Sequence, residues 1–165
     1  MTREKHVNAR RIVLLLVLTL AALAALGNLT VSAAWGPQTQ EALLVNRVYA
    51  YRGWQSTGVQ LARGDEYMIR ARGNWLYSPF AGLNGAEGHR RYRAPDWYPW
   101  PNVGGGALIG RVGEDGKPFY VGRGASGVSD RNGLLYLRID DDLLGDNKGS
   151  LTFEVTVIRP TPAKR

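Results

Sequence analysis

The sequence has no cysteine and very little histidine. Cysteine is absent from its 165 residues, and only two histidines occur, His6 and His89. The absence of cysteine excludes a disulfide framework, a thiol nucleophile and a thiolate metal site. No Ser-His-Asp arrangement, HExxH zinc motif or Walker phosphate loop is found either. We therefore predict that the protein is not an enzyme.

Long hydrophobic runs are rare, and the clear example lies near the N-terminus. Residues 12–27, IVLLLVLTLAALAALG, carry no charge and follow a basic stretch. A run of this length is short for a membrane span and typical of the apolar core of a signal peptide. Residues 1–33 are therefore predicted to be a cleaved signal peptide or, alternatively, an uncleaved membrane anchor. In both cases we expect the following domain to be extracytoplasmic, either secreted or anchored by this segment.

The rest of the chain is only mildly basic. The whole sequence has 21 basic and 14 acidic residues; residues 1–33 hold four and one of these, which leaves 17 and 13, a net of +4. A surplus of this size implies no particular partner. Arginines and aromatic residues do cluster at residues 89–101, a composition that proteins binding single-stranded nucleic acid also use. Because an exported chain seldom meets nucleic acid, we expect no such partner.

Helical periodicity is missing after the N-terminal run. Glycine and aspartate instead divide residues 48–72 into short apolar runs, with Gly64-Asp65 predicted as a turn. The stretch at 106–122, GALIGRVGEDGKPFYVG, is typical of a hairpin in which Asp115-Gly116 forms a tight primed turn. These patterns favour strands over helices.

The last two strands are predicted at residues 133–140 and 150–158. In the second of them, apolar and polar residues alternate, which is the pattern of a strand with one buried face. The residues expected to face inward are Leu151, Phe153, Val155 and Val157. We therefore predict an all-β domain over residues 47–159, preceded by a linker at 34–46 and followed by a polar tail at 160–165.

Residues 78–106 have a different composition from the predicted strands. They contain four prolines, several aromatic residues and little periodicity. A loop of this length is unusual in a compact domain and is more often functional or disordered. The aromatic content argues against disorder. We call its central part, residues 89–101, the aromatic segment.

An acidic loop, residues 140–147 (DDDLLGDN), separates the last two predicted strands. Carboxylates this close repel one another unless a positive charge lies among them. A hard cation such as Ca²⁺ takes oxygen ligands of this kind, although the spacing is not that of an EF-hand. The alternative is a hydrated turn, with Arg138 and Lys148 neutralising part of the charge.

Several stretches of the chain together resemble one known family. They are TGVQLARGD, ARGNW, GLNGAEG, GALIGRVG and the final GLLYLRIDDDLLGDNKGSLTFEVTV. From about residue 54 to 158 the chain resembles the PA-IL (LecA) type of calcium-dependent galactose-binding lectin and related lectin-like domains. The acidic loop is the most specific part of the resemblance. The family implies a small antiparallel β-sandwich of jelly-roll type, galactose-binding-like, with calcium at one end.

The resemblance implies a set of calcium ligands. Asp141 is similar to the family aspartate that ligates calcium and also accepts a hydrogen bond from a sugar hydroxyl. Backbone carbonyls are expected from Leu143 or Leu144 and from Tyr77 or Ser78. The loop departs from the lectin in being two residues shorter and in carrying additional carboxylates at Asp140 and Asp142. The predicted metal-ligating residues are Asp140, Asp141, Leu143, Asp146, Asn147 and Ser78.

The resemblance also places the sugar site in and around the aromatic segment. The family has a sugar-contacting histidine and proline after the stretch that resembles GLNGAEG, and aromatic rings there are suited to the apolar face of a sugar. The alternative is that the rings cap the core. The predicted sugar-binding residues are Asp141, Asp146, His89, Tyr92, Pro95, Asp96 and Trp97.

We therefore predict an exported, calcium-dependent carbohydrate-binding module with a galactoside as the first sugar to consider. The alternative is a structural or adhesive module, in which calcium only rigidifies the loop and the aromatic segment binds a protein. The sequence identifies neither the sugar nor the oligomeric state.

Overall fold

The computed structural model describes residues 39–160, with side chains described from 43 to 159. Within this range lie ten strands and one turn of 3-10 helix at Leu144–Asp146. The strands in chain order are β1 (Thr39–Tyr49), β2 (Gln55–Leu61), β3 (Glu66–Arg72), β4 (Asn74–Ser78), β5 (Gly82–Gly85), β6 (Leu108–Val112), β7 (Phe119–Tyr120), β8 (Gly124–Val128), β9 (Gly133–Ile139) and β10 (Lys148–Pro160).

The strands form two antiparallel sheets. The larger sheet has the order β5-β4-β10-β3-β8, with β1 also paired to β10, and the smaller sheet has the order β2-β9-β6-β7. The long strand β10 organises the larger sheet, since it pairs with β1, β3 and β4. The prediction of an all-β antiparallel sandwich is confirmed.

The core lies between the inner faces of the two sheets. Leu151, Phe153, Val155 and Val157 of β10 are all buried, as their alternation predicts. On the smaller sheet, the alternate residues of β9 that face them are Leu135, Leu137 and Ile139. Burial of one such side chain contributes roughly 1.5–3 kcal/mol before the entropy of ordering is subtracted. The buried faces of β9 and β10 therefore fix the end from which the acidic loop emerges.

Two strands differ from the prediction. The first strand begins at Thr39, within the stretch predicted as a linker, and pairs with β10 along its whole length. Its Leu43 and Val45 are exposed, while Leu44 and Val48 pack against the core, so β1 is held by its backbone pairing with β10 together with these two apolar contacts. Strand β8, with the sequence GASGV, shows no apolar alternation and is placed by its backbone pairing with β3.

The predicted primed turn at Asp115-Gly116 is wrong. Strands β6 and β7 do form a hairpin, with Ile109 paired to Tyr120 and Gly110 paired to Phe119. The connection is longer than a two-residue turn, and its positive backbone angle is at Gly113, where φ is 81°. The Gly116 N–H donates to the Gly113 carbonyl over 3.3 Å, which closes a separate turn inside this connection.

The predicted signal peptide or anchor at residues 1–33, the start of the linker and tail residues 161–165 lie outside the described residues. Within residues 39–160, no helix has the length and apolar character needed to cross a membrane. The cellular location of the domain stays a prediction.

Candidate functional site

The acidic loop leaves the sandwich where β9 ends and returns where β10 begins. Asp140 continues the β9 backbone pairing, because its N–H donates to the Ala107 carbonyl over 2.7 Å and its carbonyl accepts from Gly106 N–H over 2.9 Å. Asp140 and Asp141 are both almost completely buried, whereas Asp142 is exposed. The first two aspartates of the loop are therefore part of the folded structure, and the third is solvated.

Asp141 is the centre of a hydrogen-bond network within the loop. Its Oδ2 accepts from the Asn147 side-chain amide over 2.8 Å, and its Oδ1 accepts from the Leu143 N–H over 3.2 Å. The same Asn147 amide nitrogen also donates to the Ala50 carbonyl over 3.4 Å. The 3-10 turn brings the second arm of the loop back to the first, so Asp141 and Asn147 meet although five residues separate them.

Two oxygens of the second arm are buried without a hydrogen-bond partner. They are Asp146 Oδ1 and Asn147 Oδ1. Buried polar atoms in folded proteins nearly always have a partner, so an unpaired oxygen needs an explanation. Carboxylate and amide oxygens are the side-chain ligands that Ca²⁺ takes. These atoms, next to Asp141, therefore fit a hard cation.

A cation in this loop would need oxygens other than carboxylates. Within residues 39–160, no three carboxylate or imidazole side chains converge to form a metal site by themselves. The amide oxygen of Asn147 and backbone carbonyls would have to complete the coordination, as they commonly do for calcium. Coordination by the carbonyls of Leu143 and Ser78 stays a prediction.

Arg138 binds backbone carbonyls at the start of the acidic loop and does not pair with its carboxylates. Its guanidinium donates to the backbone carbonyls of Ile139, over 2.9 Å, and Asp141. Burial lowers the pKa of Arg138, while the nearby charges of Asp140 and Asp141 act in the opposite direction. Among the described residues, neither Arg138 nor Lys148 forms an ion pair with a loop aspartate. Their contribution to neutralising the loop is therefore indirect.

The Asp140 carboxylate is directed at the aromatic segment. Its Oδ1 accepts from the Trp100 backbone N–H over 3.0 Å, and its buried Oδ2 has no partner. Burial, only partly offset by that hydrogen bond and by Arg138, raises the pKa of Asp140 to about 7. Asp140 thus connects the acidic loop to the aromatic segment. It does not line the cleft that these two parts of the chain form with the β4–β5 turn.

A cleft of about 340 Å³ lies between the acidic loop, the β4–β5 turn and the aromatic segment. Its residues come from three separate parts of the chain, and six of them were predicted as site residues. The predicted residues in its lining are Ser78, Tyr92, Pro95, Asp141, Leu143 and Asp146. The predicted cation site and part of the predicted sugar site therefore meet in one cleft.

Two tyrosines form a fixed wall of the cleft. The hydroxyls of Tyr77 and Tyr98 are 3.1 Å apart and hydrogen-bonded. The pKa of Tyr98 is raised, first by burial and then by its contacts with Tyr77 and the Asp141 carboxylate. A β-carbon at Gly106 would lie 2.7 Å from Tyr77, so glycine is needed there for the tyrosine ring to pack.

Three predicted sugar-binding residues lie outside the lining of the cleft. His89 lines a neighbouring groove, and its Nδ1 accepts from the N–H groups of Arg91 and Tyr92 over 3.1 and 3.2 Å. This imidazole orders a turn in the backbone. Asp96 and Trp97 are exposed, with Trp97 73% accessible, but neither lines the cleft.

The cleft also contains residues that the sequence did not indicate. Phe80 and Ala81 come from the β4–β5 turn, and Arg93 comes from the aromatic segment. Phe80 is 97% exposed, which is unusual for a phenylalanine and is a signal visible only once the fold is known.

A larger hollow of about 630 Å³ lies on the outer face of the larger sheet. Strands β3, β8 and β10 line it, with acidic and basic side chains such as Glu66 and Arg70 beside Met68 and Val128. None of the unpaired buried polar atoms of the described residues belongs to its lining. The smaller cleft is the better candidate site because it combines buried oxygens with exposed aromatic rings.

The fold is similar to that of a solved lectin domain. The sequence matches no protein-family profile and no curated protein. Among solved structures, the chain is similar to one described as "EclA N-terminal domain; PllA-like lectin", with a TM-score of 0.56 and 23% identity over 70% of this chain and 97% of that chain. At this identity the likeness shows the fold alone. The lectin-like fold expected from the resemblance is confirmed.

Proposed function

We propose that the protein is a non-catalytic carbohydrate-binding module whose sugar site depends on calcium. The observation that carries this proposal is the cleft itself. One side holds Asp141 and Asp146, with unpaired buried oxygen at Asp146 Oδ1, and the other sides hold exposed aromatic rings at Phe80 and Tyr92. Sugars combine hydroxyl groups with an apolar ring face, and this cleft offers a partner for each.

Five residues in and beside the cleft would hold the cation. Asp141, Asp146 and Asn147 would hold the cation, with backbone carbonyls of Leu143 and Ser78 completing the set. Calcium bound there would offer open coordination positions to two neighbouring hydroxyls of a sugar. Asp141 keeps its position because Asn147 and the Leu143 N–H bind its two oxygens. The loop is thus organised before a ligand arrives, which lowers the entropic cost of binding.

Aromatic rings would recognise the apolar part of the sugar. Tyr92 is 51% exposed and its ring is 4.6 Å from that of His89, which holds it at the cleft. In this account His89 positions Tyr92 and does not itself contact the sugar. Pro95 adds a rigid apolar surface to the same side of the cleft.

Two resemblances support the lectin part of this proposal. The sequence resembles calcium-dependent galactose-binding lectins, and the fold is similar to that of a domain described as a PllA-like lectin. We therefore take a galactoside as the first sugar class to test and keep an exported location as part of the proposal. Signal-directed export would bring the domain into contact with surface and extracellular glycans.

Calorimetric titration with a methyl galactoside, in calcium and in chelator, tests the proposal. We expect binding in calcium and none in chelator. Asp141→Ala should remove both the sugar heat and the calcium-dependent rise in Tm, because it deletes both oxygens of a buried ligand carboxylate. Asp142→Ala is the matched control, since it deletes the same group from an exposed neighbour. Equal losses in the two variants would contradict the assignment of Asp141.

The structural module is the outcome to expect if sugars do not bind. A calcium-dependent rise in Tm without heat from any galactoside would favour a role in which the ion only orders the loop. The exposed rings of Phe80 and Trp97 would then be sites for a protein partner.

A further inference from the structure

Arg93 places a positive charge in the cleft. Its backbone pairs with Gly104, and one guanidinium nitrogen, Nη1, donates to the Asn102 carbonyl. The first contact fixes the backbone of Arg93, and the second holds one side of its guanidinium. The residue is exposed, and among the described residues it forms no ion pair. The guanidinium therefore retains N–H donors that can bind a ligand.

With a divalent cation bound, the acidic side of the cleft would be neutral and the side that holds Arg93 would be positive. Asp141 and Asp146 carry two negative charges, which such a cation would neutralise. The charge of Arg93 then remains without a counterion in the cleft. Guanidinium groups bind carboxylate and sulfate with paired, charge-assisted hydrogen bonds, which are stronger than those to neutral hydroxyls. The cleft is therefore suited to a ligand with hydroxyls at one end and an anionic group at the other.

The positive charge continues along the chain beyond the cleft. Arg90 and Arg91 are exposed and line the neighbouring groove, which has a volume of about 390 Å³. The buried Asn84 Oδ1 in this groove has no hydrogen-bond partner. Glu87 also lies there, but two hydrogen bonds of 2.8 and 2.9 Å pair it with Arg123. The groove therefore keeps a positive surplus that adjoins the cleft.

From this arrangement we infer that the protein binds acidic glycans, with Arg93 holding the carboxylate or sulfate of the sugar in the cleft. Arg90 and Arg91 would meet the next acidic unit in the neighbouring groove. This inference rests on the proposed function, because the hydroxyls of the same sugar are taken to bind at the acidic loop. It adds an anionic group on the sugar, which neither resemblance specifies.

A pyranose ring has the geometry that this inference requires. Two adjacent hydroxyls on one side of the ring can face the acidic loop, and the substituent on C6 then extends from another side of the ring toward the aromatic segment. A sugar in which the C6 hydroxymethyl group is oxidised to a carboxylate, or carries a sulfate ester on O6, gives Arg93 an anionic partner. Arg93 is thus a specificity-determining residue, whereas Asp141 and Asp146 would serve acidic and neutral sugars alike.

The test compares three probes that differ only at C6. They are a methyl galactoside, the corresponding methyl galactosiduronate, in which C6 is a carboxylate, and the 6-O-sulfated methyl galactoside. All three are titrated calorimetrically at one ionic strength and one free calcium concentration. We expect at least one of the acidic probes to bind about tenfold more tightly than the neutral one, the effect of one good charge-assisted contact. The two acidic probes separate a uronate from a sulfated sugar.

Arg93→Gln should reduce the ratio of acidic to neutral affinity to about one. Arg70→Gln is the matched control, because it removes an exposed arginine from the outer face of the larger sheet. That variant should keep the wild-type ratio. Circular dichroism and Tm would establish that both variants are folded.

Three results would overturn the inference, and they differ in what they say of the proposed function. Calcium-dependent binding of all three probes with equal affinity leaves the lectin function intact and removes the acidic specificity. Binding of acidic probes that persists in chelator indicates a general polyanion surface of the kind that nucleic acid also uses. Absence of binding by every probe in calcium removes both the lectin function and the inference that rests on it.

Discussion

The last two strands and the aromatic segment reach an ordered structure by different means. Strands β9 and β10 are held by buried alternate side chains such as Leu137 and Val155. The aromatic segment is held mainly by backbone hydrogen bonds, among them Gly105 N–H to Tyr92 and Ala94 N–H to Val103, over 2.7 and 2.8 Å. Because backbone hydrogen bonds fix the position of the segment, several of its side chains remain exposed.

This difference explains why the segment, and not a strand, carries the proposed specificity. A side chain that forms the core is unavailable to a ligand. In the aromatic segment, Tyr92, Arg93 and Trp97 stay exposed although their backbone is fixed. The sandwich thus provides a rigid base, and the segment provides side chains that are free to bind.

The largest effect is expected from removing a buried side chain of β4, the strand that pairs with the first residues of β10. Trp75 of β4 is fully buried, and its Nε1 donates to the Gly106 carbonyl over 2.8 Å. We expect Trp75→Ala to lower the free energy of unfolding by about 3–5 kcal/mol, since it leaves a large cavity. Urea denaturation measures the loss. Trp75→Phe, which keeps most of the volume but not the donor, should cost clearly less; an equal loss would contradict this account.

A second change acts on the aromatic segment from its backbone. A β-carbon at Gly88 would overlap the Gly104 carbonyl oxygen, and its φ of 85° already disfavours other residues. We expect Gly88→Ala to destabilise the protein by about 2–4 kcal/mol, from overlap and backbone strain together. Gly58 has a similar φ of 80° with nothing within 4 Å, so Gly58→Ala should show only the strain, about 1–2 kcal/mol.

Sugar binding provides a second test of the same two variants, Gly88→Ala and Gly58→Ala. If backbone contacts position the segment, Gly88→Ala should weaken the binding of a galactoside more than Gly58→Ala does. Equal stabilities for the two alanine variants in urea denaturation would show that the close approach of Gly88 to Gly104 does not order the segment.

The smallest effect is expected at an ion pair on the surface. Arg123 holds the pKa of the Glu87 carboxyl below its usual value, chiefly through hydrogen bonding. A depressed carboxyl pKa adds stability that is present above the unfolded value, about 4.3, and is lost as the pH falls through the folded value. Glu87→Gln should therefore lower the Tm by about 1–3 °C at pH 7. At pH 3 the difference between variant and wild type should shrink; a constant difference would contradict it.

The sequence predicts the sandwich well because apolar and polar residues alternate in strands such as β10, whose apolar residues are buried. It does not predict the part of β1 before residue 47 or β8, where backbone pairing replaces a hydrophobic pattern. The acidic loop is predicted as a candidate cation site because residue types alone define its chemistry. That Asp140 turns toward Trp100 is set by the fold and has no signature in the sequence.

The aromatic segment is the least predictable part of the candidate site. Tyr92 and Pro95 line the cleft as expected, but His89 lies in the neighbouring groove and Asp96 and Trp97 stay outside the lining. Arg93 and Phe80 enter the cleft through contacts between distant parts of the chain. Backbone hydrogen bonds between positions about ten residues apart decide which side chains face inward, and no local pattern encodes them.

Calcium binding is the most direct test of the central claim, which is that a divalent ion joins the two arms of the acidic loop. Chelator-treated protein is titrated with calcium while heat and Tm are recorded. We predict one site per chain and a stabilisation of about 2.7 kcal/mol at a free calcium concentration one hundred times Kd. This stabilisation should be lost in each of the single variants Asp141→Ala and Asp146→Ala and retained in Asp142→Ala. A titration with no heat and an unchanged Tm would contradict the claim.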